Sequence, residues 1–410
     1  MIKSLFEERG LFFLWYFLLI AILWPQAFSE THSFLLFLGL KFLWKINLFI
    51  YIFSFIVAYA LLIFRLSSLN RAGFTFIIFL LAFFLLIFIS FLWSPYPSFS
   101  LSTSIFFLFQ IFPVAIFTIF SKKPKKLLMN TSYLFSFLGF TASLFQLVFL
   151  QWKKIINFSN LKNVGGVYNI SSSLSNLMFQ NPNCLAFWLF ITISFTILAL
   201  IETKKWKVFL FFLVPQSIVF FFTFSRATLI ALFGFLFCFF FTLRKKEKLL
   251  IFVFLIFIIS FLIGVIGWKN KGIIPTRGIS NRVEIWKLGF QFWKENLILG
   301  KGFATSPWLL WERVQNVHFH NNFLQIGVEL GILGFLLYLF LWIYPIKIGL
   351  RKLNENKMSE NILPLAFILS FEFGTFLNSF FESLITYPPF PFFASIWFFL
   401  TTLLVNPYFP

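Results

Sequence analysis

Five separated segments of this 410-residue chain carry polar side chains of the kinds that handle anions and protons. FQNPNCLA supplies Gln180, Asn181 and Asn183, and FTFSRATLIAL supplies Arg226. SNRVEIW supplies Arg282, VHFHNN supplies His318, His320 and Asn321, and SFFESLITYPP supplies Glu382. Two guanidinium groups and amides at a helix start suit a diphosphate or another anion. A histidine beside them can take or give a proton near neutral pH. The chain contains no aspartate, which excludes the Asp-x-Asp metal motif, and its glutamates show no metal-ligand spacing. No Walker-type loop is present. If phosphate or sugar chemistry occurs here, arginine cations rather than a metal are expected to stabilise the leaving group, and no cofactor is expected. Each residue also has a plain structural reading: Arg226 as a snorkelling anchor, Arg282 as a solvated loop charge, the asparagines as a helix N-cap ahead of Pro182, and His320 as an interfacial anchor.

The elements that must position these residues are membrane helices. Hydrophobic residues make up 60% of the chain, charged residues 11%, and Phe alone accounts for 72 positions, too much apolar surface for a soluble fold to bury. Continuous apolar runs of about 20 residues recur, each long enough to span the hydrocarbon layer as a helix. The expected fold is all-α, a single polytopic membrane domain over residues 1–410. About twelve spans begin near residues 11, 46, 73, 101, 127, 183, 207, 226, 249, 322, 361 and 390, with a short interfacial helix possible within 34–64. The net charge of +20 is read by location rather than as a nucleic-acid footprint. RLSSLNR at 65–71, KKPKK at 122–126, ETKKWK at 202–207, RKKEK at 244–248 and IKIGLRKLNENK at 346–357 are basic, whereas SPYPSFS at 94–100 and SFFESLITYPP at 379–389 lack Lys and Arg. The positive-inside rule places the basic set, and both termini, in the cytoplasm. Two longer loops, 151–182 and 269–321, then lie outside. Within the second, Ile285, Trp286, Gly289, Phe292 and Trp293 share one face of an amphipathic helix that lies on the membrane or closes over the bundle. Cys184 and Cys238 suggest neither a disulfide framework nor a thiolate metal site. The opening residues, with Glu7, Glu8 and Arg9 before a long apolar run, lack the pattern of a cleaved signal peptide. No internal repeat is evident.

All five polar segments fall on the outer side in this topology. His320 is expected to cap span ten at the outer mouth of a lipid-accessible cavity. Gly327, Gly331 and Gly334 read as a small-residue stripe that permits close helix contact. Glu329 lies nine residues below His320, roughly 13 Å by helix rise, too deep for direct catalysis; an internal hydrogen bond to a neighbouring helix is expected.

HNNFLQIGVELGILG has the form His, Asn, nine residues, Gly, two residues, Gly, at His320, Asn321, Gly331 and Gly334. This resembles a motif of the O-antigen ligase family, which includes related polysaccharide polymerases. SPYPSFSL, NPNCLA, SRATLIA and RVEIWKLGFQFWKENLILGKGFAT, with Gly300 and Gly302, resemble further family segments in order. The resemblance covers most of the chain, best over 179–385. It implies a C-type membrane glycosyltransferase in the bacterial inner membrane, its active site facing the periplasm. The implied donor is a glycan on undecaprenyl diphosphate, and the implied acceptor is lipid A-core or, for a polymerase, another lipid-linked glycan. By matched position, Arg226 and Arg282 would hold the diphosphate and His320 would act on the acceptor hydroxyl, in a direct, inverting, metal-free transfer. Asn181, Asn183, Asn321, His318 and Glu382 would line the substrate site. A lipid-linked oligosaccharide transporter and a scaffold subunit without chemistry remain alternatives. A transporter would spread its ionisable groups along a pathway through the membrane.

Overall fold

In a computed structural model the chain forms a helical bundle. The structure describes residues 10, 15–16, 18, 42–152, 181–223, 225–243, 280–355, 362–384 and 391–409. The expected spans near 11 and 249, the interfacial helix before residue 42, the RKKEK connection, Gln180 and most of the 151–182 loop lie outside them.

The described helices are α1 (Phe42–Arg65), α2 (Arg71–Ile89), α3 (Pro97–Ile119), α4 (Pro124–Trp152), α5 (Pro182–Thr203), α6 (Trp206–Phe222), α7 (Arg226–Thr242), α8 (Ser280–Glu295), α9 (Ser306–Val314), α10 (Asn322–Glu355), α11 (Ile362–Ser379) and α12 (Pro391–Val405). Seven of them are long and apolar enough to cross a membrane, and α6, α7 and the body of α12 are shorter apolar helices. The architecture is that of a polytopic membrane protein. Local chemistry sets several starts. Asn70 caps α2 by accepting from the Gly73 N–H at 2.8 Å, and Pro97 and Pro182 occupy first-turn positions where no N–H is needed.

Helix α5 is buried along its length and packs against α4, α6, α7 and α11. Helix α2 and the single turn that continues it, by contrast, expose Phe74, Ile78, Leu81, Leu85, Phe88 and Leu92, spaced alternately four and three residues apart. In a membrane bundle such an apolar stripe is the lipid face. The connections rich in Lys and Arg gather at one end. There Lys352 donates to the Asn406 and Phe409 carbonyls, and the Asn406 amide donates to the carbonyls of Thr118, Ile119 and Ser121, closing the end of α3. The polar segments singled out above lie at the other end.

Helix α10 breaks at Gly331, where φ is 65° and ψ −164°. A continuous helix would pair the Ile332 N–H with the Val328 carbonyl and the Leu333 N–H with that of Glu329. Here residues 297–302 take all four groups. Lys301 N–H donates to the Val328 carbonyl and Gly302 N–H to that of Glu329, both at 2.8 Å; Ile332 N–H donates to the Leu297 carbonyl at 2.8 Å and Leu333 N–H to that of Ile298 at 3.5 Å. A Cβ at Gly300 would meet the Glu329 and Gly331 backbone at 2.5 Å, and one at Gly331 would overlap the Ile298 carbonyl. The expectation of a small-residue stripe for helix contact holds at Gly327 and is corrected at Gly331 and Gly334. Gly331 makes the break, Gly327 lies under the Trp293 ring of α8, and Gly334 faces Leu330 of its own helix. Glu329, fully buried, accepts hydrogen bonds from the Ala304 N–H at 3.0 Å, the Ser306 N–H at 3.4 Å and the Ser306 hydroxyl. The expected bond to a neighbouring helix is thus made to the start of α9.

Helix α8 closes over the bundle. Ile285 and Phe292 join Leu310, Phe319, Leu324 and Val328 in a small core against α9 and α10, with Trp286 and Trp293 packed on it. The Trp286 indole donates to the Phe319 carbonyl at 2.9 Å, and Gly289 leaves room for Leu324 and Phe319. This packing fixes the N-terminal turn of α8, which carries Arg282, beside the loop before α10.

Candidate functional site

Glu382 is the hub of the site. It follows α11 in a short turn, its N–H bonded back to the Asn378 carbonyl, and its side chain is completely buried. One carboxylate oxygen accepts from the Arg282 guanidinium at 2.6 Å and from the Asn183 amide at 2.7 Å. The other lies 3.0 Å from His320 Nδ1. A buried carboxylate is costly unless paired, and here a cation and two further hydrogen-bonding groups meet it.

The loop between α9 and α10 presents the imidazole. Gln315 (φ 49°) and His320 (φ 52°) both adopt the left-handed conformation, which is uncommon for non-glycine residues. The His320 N–H donates to His318 Nδ1 at 3.3 Å, so His318 supports the backbone turn. His318 is buried, and burial, followed by electrostatic interaction with His320 and with the Arg282 cation, holds its pKa well below the usual 6.5. It is a neutral acceptor.

The hydrogen-bond pattern assigns the His320 tautomer. Asn316 Oδ1 accepts from the backbone N–H groups of Val317 at 2.8 Å and His318 at 3.4 Å. That orients the amide nitrogen toward His320 Nε2, 3.2 Å away. An amide N–H can only donate, so Nε2 presents a lone pair and Nδ1 carries the proton given to Glu382. An imidazole held by a carboxylate at one nitrogen, with a lone pair at the other, is the geometry of a general base.

The other candidate residues fall into supporting positions. Asn181 is the N-cap of α5, accepting from the Asn183 N–H at 2.8 Å. Asn321 caps α10 through the Leu324 N–H at 2.9 Å, while its own N–H donates to Ser383 Oγ at 2.8 Å and its amide to the Phe380 carbonyl at 3.1 Å. Arg226 is the exposed residue in the otherwise buried first turn of α7. Thr228, two residues on, accepts from Asn378 of α11, which places Arg226 at the same end of the bundle as Glu382. The structure thus brings Arg282, His320, Glu382, Asn183 and His318 together and sets Arg226, Asn181 and Asn321 around them. Asn316 and Ser383 were not singled out from sequence.

His318, His320 and Glu382 present ligand atoms within 4.8 Å of one another, the composition of a divalent-cation site. The electrostatics oppose that use: both Glu382 oxygens face hydrogen-bonding partners, and one of those partners is the Arg282 cation.

Residues 209–339 match the Wzy_C family model, described as O-antigen ligase. Over this stretch the chain is similar to the O-antigen ligase family. The matched stretch takes in Arg226, Arg282, Asn316, His318 and His320, while Asn183 and Glu382 lie outside it on α5 and after α11. The O-antigen ligase match therefore covers His320, Arg226 and Arg282, and the fold brings Glu382 to them. No curated protein matched the chain.

Proposed function

We propose that this protein is an O-antigen ligase-type glycosyltransferase. It moves a glycan from undecaprenyl diphosphate to a hydroxyl of an acceptor sugar, lipid A-core, at the periplasmic face of the bacterial inner membrane. The observation that carries the reading is the Arg282–Glu382–His320 array, a cation and an oriented base on one carboxylate at one end of a membrane bundle. The acceptor hydroxyl gives its proton to His320 Nε2 as its oxygen bonds to the anomeric carbon. The bond from that carbon to the phosphate oxygen breaks, and its electron pair leaves on the diphosphate. Glu382 holds the ring and stabilises the imidazolium that forms. Arg282 commits a nitrogen to Glu382 and keeps further N–H groups for anionic oxygen, and Arg226 adds a second cation. One displacement inverts the anomeric centre.

A polymerase uses the same donor with a second lipid-linked glycan as acceptor, and the site chemistry suits it equally. The transporter reading is less favoured, because the polar groups singled out collect at one end of the bundle. The test is product analysis with purified protein in nanodiscs, supplied with undecaprenyl-diphosphate-linked glycan with and without lipid A-core. Transfer to lipid A-core is the expected result, and lengthening of the lipid-linked glycan without that acceptor would make the protein a polymerase. Full transfer by well-folded Arg282→Ala and His320→Ala variants would overturn the site assignment.

A further inference from the structure

We infer that Asn316 and His320 together form a two-atom seat for the acceptor hydroxyl, which makes Asn316 an acceptor-binding residue. The inference rests on the proposed role of His320 as base. Asn316 lies four residues before His320, in the loop turned by Gln315, and is half-buried. Its amide cannot rotate freely, since Oδ1 is held by the Val317 and His318 N–H groups. Its Nδ2 is consequently fixed as a donor, facing a nitrogen that Glu382 fixes as an acceptor. In the resting site these two groups satisfy each other at 3.2 Å.

A hydroxyl is the small group that can replace this 3.2 Å contact and leave both satisfied, once the Asn316 amide draws back until the two nitrogens are about 4.5 Å apart. Its O–H donates to His320 Nε2 while its oxygen accepts from Asn316 Nδ2–H. The proton to be removed is then already on the base, and the attacking oxygen is held from a second direction. A phosphate or carboxylate oxygen brings no proton. It could accept from Asn316 but would confront the His320 lone pair, with the Glu382 charge behind it. The pair therefore takes the acceptor alcohol and rejects the donor's diphosphate, which is left to the arginines. Negatively charged acceptors are selected against at the reacting position, and a sugar hydroxyl is selected for.

The experiment combines kinetics with chemical modification of Asn316→Ala and Asn316→Asp in nanodiscs. Losing one neutral hydrogen bond to the acceptor is expected to raise its KM about five- to tenfold in Asn316→Ala. Asn316→Asp replaces the donor with an acceptor facing Nε2 and so favours the imidazolium. Together with Glu382 on the other side, against Arg282 and His318, it should move the acidic limb of the pH–rate profile to higher pH. Diethyl pyrocarbonate, which acylates an imidazole nitrogen bearing a lone pair, should modify His320 several-fold faster in Asn316→Ala, as read by peptide mass mapping without any glycan substrate. An unchanged modification rate together with an unchanged acceptor KM in Asn316→Ala would overturn the inference. If His320→Ala still transfers glycan, the general-base reading itself fails, whatever the Asn316 variants do. If His320→Ala is inactive while the Asn316 variants behave as the unaltered protein, only the seat is wrong.

Discussion

Replacing Glu382 by glutamine tests the centre of the mechanism while changing almost no volume. Glu382 receives Arg282 and Asn183 on one oxygen and faces His320 Nδ1 with the other. A glutamine has one acceptor oxygen and one amino group. The oxygen will face Arg282 and Asn183, because the opposite rotamer would set an NH2 against a cation and a second amide donor. The amino group then faces His320 Nδ1, which must give up its proton to accept. The ring proton moves to Nε2, where the base lone pair had been. General-base assistance is worth roughly 10²- to 10⁴-fold, about 3–5 kcal/mol of barrier, and that is the expected fall in kcat. Binding of the donor should change little, so its KM should stay within a few-fold. The fold should survive, since two of the three contacts keep an acceptor; the expected stability loss is about 1–2 kcal/mol. The assay is single-turnover transfer from undecaprenyl-diphosphate-linked glycan, alongside thermal unfolding of the same sample. A folded Glu382→Gln protein that retains more than half its rate would refute the tautomer argument.

Other expectations follow from the same geometry. His318 is held neutral in the fold but binds a proton below pH 6.5 when unfolded, so its contribution to stability is full above that pH and declines as pH falls through it, by about 1.4 kcal/mol per unit. Between pH 7.5 and 5.5 the thermal midpoint of His318→Asn should shift toward greater relative stability than that of the unaltered protein; an equal change in both would remove His318 from the explanation. Gly331→Ala combines a positive φ with overlap on the Ile298 carbonyl and should cost about 2–5 kcal/mol, visible as a lowered unfolding midpoint. A midpoint equal to that of the unaltered protein would count against the break. Because Arg282 sits where a metal would need to approach Glu382, EDTA should leave the transfer rate unchanged, and a rate restored only by divalent cation would contradict that expectation.

The membrane class was legible because the hydrocarbon layer imposes a crude demand, long continuous apolar runs, that composition alone reveals. The start of α5 was legible because the asparagines and Pro182 marked it with cap and first-turn chemistry. The weight of Glu382 was not. A lone glutamate in a loop acquires meaning only from its partners, and these lie 62, 100 and 199 residues away in sequence at His320, Arg282 and Asn183. Asn316 was invisible for a different reason. Its reach to His320 depends on left-handed backbone at Gln315 and His320, which neither residue type announces. The glycine spacing at 327, 331 and 334 was read as helix-to-helix contact. The same spacing admits a break, and what decides between them is the backbone of residues 297–302, whose approach no periodicity records.

The exchange of hydrogen bonds at Gly331 bears on how the chain enters the membrane. At the break α10 presents two carbonyls and two N–H groups that its own ladder does not use. In hydrocarbon each would cost several kcal/mol, so the upper and lower halves of this helix cannot pass into the bilayer as a kinked rod on their own. The partners come from residues 297–302, which leave the ribosome before α10 does. Insertion therefore has two courses: α10 enters straight and is opened later by the loop, or loop and helix enter already paired. Either way the polypeptide between α8 and α9 is a strand of the span's own backbone pairing, supplied from outside the helix. A protease cut there would release no tail; it would free from the chain on one side the segment that pairs all four backbone groups at the break.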